Sequence, residues 1–241
     1  MSRLDRKQEE ARARLVAAVA LAFTAALAFG LIMTAPRHPP VGAEAAAPDI
    51  SATSLQAANL ERFISQAGAC RIALTQAHIQ IEPVADLREG ASCGYTQAVA
   101  LTQSLHPYSG PVTTSCAVAA GLVLWERDVV APAAARHFGQ GVARIELAGP
   151  AYACRSIAGR ADGRMSEHAS ANAIDIGGFT LADGRVLTVK QGWRGRPQEQ
   201  AFWRDVRDGG CDLFQVALSP DYNHAHHDHL HLDMGRYKLC R

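Results

Sequence analysis

The stretch HAHHDHLHLD, residues 224–233, holds five of the chain's ten histidines, and its second half alternates polar and apolar residues. In a β-strand, residues i, i+2 and i+4 share a face. His229, His231 and Asp233 therefore point one way, and Leu230 and Leu232 the other. Leucines toward a core and histidines toward a cleft define a strand at the wall of a site, one that delivers two imidazoles to a single surface. His226 falls at the start of the strand, where alternation need not hold.

Upstream, RMSEHASANAIDIGGF (residues 164–179) is the natural complement. His168 sits in a loop of small residues, and Asp175 lies in a strand-like apolar run between Ile174 and Ile176. A carboxylate in such a run is costly unless it is hydrogen-bonded or holds a cation. Asp175 is thus either a bonded structural residue or a ligand. With His168 before it and a histidine pair after it, a site of two nitrogens and one oxygen is expected, which suits Zn²⁺ with the fourth position open to water. One histidine of the C-terminal cluster is the expected third ligand. The others are then placed to act on a water and on a developing oxyanion.

The remaining pattern sets the architecture. Helical periodicity is expected over residues 55–67, 95–105 and 115–138, the last broken near Pro132, with a short helix over 201–211 closed by glycines. Residues 141–149, 185–193 and 213–218 alternate as strands. Helices come first and strands later, so the expected class is α+β: one domain over residues 55–241, with N-terminal helices and a central antiparallel sheet carrying the zinc site. Trp193, Phe202 and Trp203 are expected in the core or on a cleft wall. His224 and His227 are expected near the site or in solvent, and His38, His78, His106 and His137 have no partner pattern.

From Leu15 to Ala35 no residue is charged. About 20 residues at ~1.5 Å rise span a ~30 Å bilayer core, so residues 15–35 read as a transmembrane signal anchor. Residues 1–14 contain five basic and three acidic side chains, which keeps that end cytoplasmic. Residues 36–54, rich in Ala and Pro, read as a linker. The domain is then expected in the periplasm of a single-pass inner-membrane protein; cleavage near residues 39–45 would give a secreted form. A net charge of +1 gives no reason to expect nucleic acid as a partner. The six cysteines, Cys70, Cys93, Cys116, Cys154, Cys211 and Cys240, form no CxxC pair. An even, widely spaced set in an exported domain indicates disulfides rather than thiolate ligation. Sequential pairing (Cys70–Cys93, Cys116–Cys154, Cys211–Cys240) is the expectation, and its last bridge pins the chain just beyond the histidine cluster.

SEHASANAID, a Ser-x-His-x(6)-Asp element, followed far downstream by HHDHLH, resembles the LAS zinc peptidases. These include D-Ala-D-Ala carboxypeptidases and dipeptidases and the penicillin-insensitive murein endopeptidases. A closer resemblance, over nearly all of residues 55–241, is to the bacterial extensin-like C-terminal domain family, where YACR (residues 152–155), the SEH…AIDI…GF block, GW and the ending HDHLHLD…C occur in this order. The resemblance implies that His168, Asp175 and His231 bind zinc. It puts His229 in place of the residue that activates water, with Asp228 as an acidic alternative, and His226 in place of a second catalytic histidine. Arg155 takes the place of a substrate-binding arginine, and Asp233 is expected either to orient His231 or to make a strand-end contact. Where the family commonly has glycine between the His and the Asp, this chain has Ala171, which is strained if that position needs φ > 0. The implied activity is that of a D,D-endopeptidase or D,D-carboxypeptidase acting on peptidoglycan peptides. The alternatives are a non-catalytic, zinc-containing cell-wall binding or envelope-organising module, and a metal buffer loaded through the histidine cluster.

Overall fold

The computed structural model describes residues 55–159 and 163–241. The expected cytoplasmic segment, transmembrane anchor and linker lie outside these residues. Among the described residues no helix is long and apolar enough to cross a membrane. Two short helices open the domain, α1 (Leu60–Ser65) and α2 (Ala67–Gln76), followed by strands β1 (Gln80–Pro83), β2 (Leu87–Glu89), β3 (Cys93–Tyr95), β4 (Val99–Gln103) and β5 (Pro107–Thr114). Helix α3 (Cys116–Trp125), a π-helical turn (Glu126–Val130) and α4 (Ala131–Phe138) lead to β6 (Val142–Leu147). Strands β7 (Ala173–Leu181) and β8 (Val186–Thr188) precede α5 (Val189–Gly192) and α6 (Pro197–Leu213). The chain ends with β9 (Val216–Leu218), β10 (Leu230–Asp233) and β11 (Leu239–Cys240).

Eight strands run in the order β1-β4-β5-β6-β7-β10-β9-β11, with β8 added on β7, and β2 and β3 form a separate ribbon. The expected α+β class is correct, but the sheet is mixed rather than antiparallel: β5 pairs with β6, and β9 with β11, in parallel. A parallel pair needs a crossover, and the helical stretch α3–α4 supplies it between β5 and β6. Strand β11 runs opposite to β10 and lies on the far side of β9, so it must parallel β9.

Every residue of α3 is buried, as a helix apolar all round must be. It is packed among α1, α2, α6 and the sheet, and Trp125 Nε1 donates to the Val206 carbonyl of α6 at 2.9 Å. The interruption of the 115–138 helix precedes Pro132. Proline leaves one carbonyl without its i+4 donor, and the π turn absorbs the mismatch. Residues 95–105 are not helical: Val99 and Leu101 point into the core while Thr102 is exposed, and this alternation is claimed by pairing with β1 on one side and β5 on the other. The 185–193 segment is strand only to Thr188, where the Thr188 hydroxyl caps α5 by accepting from Gln191 N. Gly209 and Gly210 do not close a short helix. They lie inside the 17-residue α6, where a Cβ on Gly209 would sit 2.4 Å from Val129, so they serve close helix packing. Trp193, Phe202 and Trp203 are all core.

The disulfides are Cys70–Cys116, Cys93–Cys154 and Cys211–Cys240. Only the last follows the sequential expectation. The first two interleave because α2 packs on α3, while the β3 ribbon packs against residues 152–154. In the chain-entropy account, loops of 46 and 61 residues contribute roughly 4 kcal/mol each. Away from the histidines, Glu126 is fully buried without a Lys or Arg partner. It accepts from the Ser104 hydroxyl, from Tyr108 Oη at 2.9 Å, and from His106 N and Nδ1 at 3.2 and 3.1 Å. His106 thus has a structural partner, as does His137 in Asp205 at 2.7 Å.

Two measurements check this packing. Peptide mapping without reduction is expected to recover the 70–116 and 93–154 links; recovery of 70–93 would contradict the packing of α2 on α3. Glu126→Ala strands four donors on three residues and is expected to cost about 3 kcal/mol, or roughly 6–12 °C in Tm, whereas Glu126→Gln should lose less.

Candidate metal centre

Strand β7 is paired with β6 on one edge and with β10 and then β8 along the other, and is buried along most of its length. Asp175 is its one charged residue. In the β7–β10 register His231 stands directly opposite Asp175, and the flanking pairs Leu230–Ile176 and Leu232–Ile174 face the core. The alternation of residues 229–233 is therefore as the sequence implies. His168 arrives from a 3-10 turn, Glu167–Ser170, whose Ser166 cap accepts from His168 N. The turn ends at Ala171 in the left-handed region, φ 53° and ψ 30°. The position does need φ > 0, and a non-glycine residue there costs about 1–2 kcal/mol. It is held by its surroundings: the Ala171 carbonyl accepts from Ser115 N at 2.7 Å and from Thr114 Oγ1 at 2.9 Å.

The turn returns His168 over β7. Its Nε2 lies 3.1 Å from Asp175 Oδ2 and 3.2 Å from His231 Nδ1, and His231 Nδ1 lies 2.9 Å from Asp175 Oδ1. All three residues are buried, and they are the one such group of His, Cys, Asp or Glu among the described residues. A tetrahedral ion with bonds of 2.0–2.1 Å needs donors about 3.3 Å apart; the two nitrogens meet this spacing, and one atom from each of the three residues lies within 4.8 Å of the others, a set that suits zinc.

The outward nitrogens fix the ring orientations. His168 Nδ1 faces the Ala151 carbonyl at 3.1 Å, an acceptor only, so this nitrogen carries a proton and Nε2 is the one turned inward. His231 Nε2 faces Asp233 Oδ2 at 3.0 Å, which turns Nδ1 inward to Asp175. Both inward nitrogens therefore face Asp175 and are the ones a cation would take, with the outer support common around metal-binding histidines. Burial pushes the Asp175 carboxyl up, but hydrogen bonds from His168 and His231 outweigh it and hold it well below the usual carboxylate range. Burial also disfavours charge on His231, yet its bonds to Asp175 and Asp233 carry its pKa up to about 9. A cation bound at this position displaces that proton.

The other candidates surround the trio. His229 donates Nδ1–H to Asp228 at 3.0 Å, and its Nε2 lies 3.6 Å from Asp175 Oδ1. The His229 bond holds the Asp228 carboxyl below its ordinary range, so Asp228 serves as the orienter of His229. His226 has its ring centroid 5.2 Å from that of His229 and 5.8 Å from that of His231. Burial, then the neighbouring His231 and His229, push His226 down to about 4. Arg155 Nη2 reaches Asp175 Oδ2 at 3.6 Å. The segment that carries it runs beside the His168 turn, with Ala153 N bonded to the His168 carbonyl and Ser166 N to that of Arg155. His224 and His227 stack on each other at the surface. Arg155, His226, His229, His231 and Asp233 line a cleft of about 490 Å³.

Two contributors escape a reading of side-chain patterns. The Ala151 carbonyl is a backbone atom with no residue signature. Asn223 caps the 3-10 turn His224–His226, accepting from Ala225 N at 2.9 Å and from His226 Nδ1 at 2.8 Å. Its signal was an Asn ahead of the histidine turn, the side chain that most readily accepts from the following backbone.

Residues 68–241 match the family described as extensin-like protein C-terminus, and the chain belongs to that family. No curated protein and no solved structure matches it.

Asp233→Ala removes the acceptor on His231 Nε2 without removing a donor of the trio. It is expected to weaken zinc binding about 10–100-fold, measured by competition with a chromogenic chelator. Unchanged affinity would show that the Asp233 contact is only a strand-end feature.

Proposed function

We propose that this domain is a zinc hydrolase of the periplasmic face of the inner membrane, a peptidase of D,D-endopeptidase or D,D-carboxypeptidase type acting on peptidoglycan peptides. His168 Nε2, Asp175 and His231 Nδ1 are the zinc ligands. The observation that carries the proposal is the convergence of three buried side chains, the two imidazole nitrogens 3.2 Å apart and each 2.9–3.1 Å from one oxygen of the Asp175 carboxylate, beside a cleft lined by two further histidines and an arginine. Zinc held there supplies Lewis acidity and lowers the pKa of a coordinated water to ~7.

The chain's own groups divide the remaining work. With its Nδ1–H committed to Asp228, His229 presents a bare Nε2 toward the cleft and acts as the base that takes a proton from water. His226, with Nδ1–H committed to Asn223, also offers an acceptor and not a donor. Stabilisation of developing negative charge therefore falls to Arg155, whose guanidinium offers only donors and stands beside Asp175. The substrate class and the membrane location rest on the resemblance to the LAS enzymes and on the apolar N-terminal segment.

The second reading is a non-catalytic, zinc-containing cell-wall binding module. It is favoured by one distance: His229 Nε2, 3.6 Å from Asp175, is near enough to serve as a fourth ligand and close the site.

Purified, zinc-loaded protein is expected to release a product from muropeptides, and removal of the metal should abolish it. His229→Ala should retain zinc and lose about 10²–10⁴ in rate. No metal-dependent product, together with zinc loss in His229→Ala, would favour the binding module.

A further inference from the structure

The cleft beside the trio is unevenly charged. Four cationic side chains line it, Arg155, Arg164, Arg236 and Lys238, against two carboxylates, Glu167 and Asp233. Both carboxylates are engaged. Asp233 faces His231 and also accepts from Gly235 N at 2.7 Å. Glu167 accepts from Asn172 Nδ2 at 2.8 Å. Arg155 is turned to Asp175, and Lys238 Nζ donates to the Phe214 carbonyl at 2.8 Å. Arg164 and Arg236 remain, and neither forms an ion pair with a described residue. The Arg164 guanidinium lies 4.8 Å over the Tyr237 ring, a contact that holds its plane while leaving its edge donors for a ligand. Apolar side chains line the same cleft. Ile157, Tyr222 and Tyr237, three of the large hydrophobic side chains exposed at 43% or more, line it.

We propose that the cleft recognises a substrate by a second anionic group, held by Arg164 and Arg236 and separated by an aliphatic stretch from the group that reacts at the metal-ligand trio. This rests on the zinc reading and adds a specificity position remote from the chemistry. Two guanidiniums with free edges favour a carboxylate, which pairs with them through charge-assisted hydrogen bonds. Exposed Ile157 and the two tyrosines match the methylenes between. Neutral peptides are then poor ligands, and the C-terminal wall that carries Arg236 and Tyr237 is the element that discriminates.

The test uses the zinc-loaded full chain and metal-anchoring probes: the monohydroxamates of succinate, adipate and suberate, each beside its terminal carboxamide. At one chain length the carboxylate should bind about tenfold or more tighter than its amide. That ratio should fall toward unity in Arg164→Gln/Arg236→Gln, and fall with added salt, as for partly exposed charges. Equal binding of acid and amide at every length overturns the proposal. So does a ratio that survives in the double variant but vanishes in Arg155→Gln, which would place the anion beside the metal. Hydroxamates that bind as well without zinc as with it would overturn the zinc reading, and the proposal with it.

Discussion

The pairing of β7 with β10 is the constraint on which the rest of the structure depends. It sets His231 against Asp175 on the cleft face, and Leu230 and Leu232 against Ile176 and Ile174 on the core face. Because side chains alternate, a slip of one residue would drive His231 into the core and put leucine in the site. The apolar pairs therefore specify the geometry of the polar one. Burial of four aliphatic side chains fixes where two ionisable groups meet, and no contact within the site has to do so.

A buried carboxylate between two buried imidazoles is a costly arrangement unless its charge is answered. Here each imidazole is held from outside, His168 by a backbone carbonyl and His231 by Asp233, so the inward donors converge before any cation binds. The cost is displaced onto the backbone at Ala171, whose left-handed conformation ends the turn that aims His168. Bonds from Ser115 and Thr114 hold that residue to the start of α3, and the Cys70–Cys116 bridge anchors the same helix to α2. A second layer repeats the logic: Asp228 orients His229, and Asn223 orients His226.

What the sequence showed plainly was periodic or chemically conspicuous. Alternation across residues 229–233 and a lone Asp among isoleucines mark two strands, and the structure pairs them as β10 and β7. What it hid depends on long-range pairing. Residues 95–105 satisfy a helical pattern locally, yet two neighbouring strands claim them. Disulfide partners follow from how α2 and the β3 ribbon dock, which spacing does not encode. The parallel pairs arise from crossovers, visible only when the strand order is known. At the site, the three side chains of the trio were legible, whereas the Ala151 carbonyl carries no residue signature, and Asn223 matters only once the turn it caps is placed beside the trio.

The central claim is that two motifs more than fifty residues apart, His168 with Asp175 and the C-terminal histidines, form one metal site. Elemental mass spectrometry of the oxidised, purified protein beside Asp175→Ala and His231→Ala tests it most directly. The account predicts one tightly held zinc per chain, lost in both variants while the fold persists. A wild-type protein that takes up no zinc, or one whose zinc content is untouched by Asp175→Ala, would contradict it.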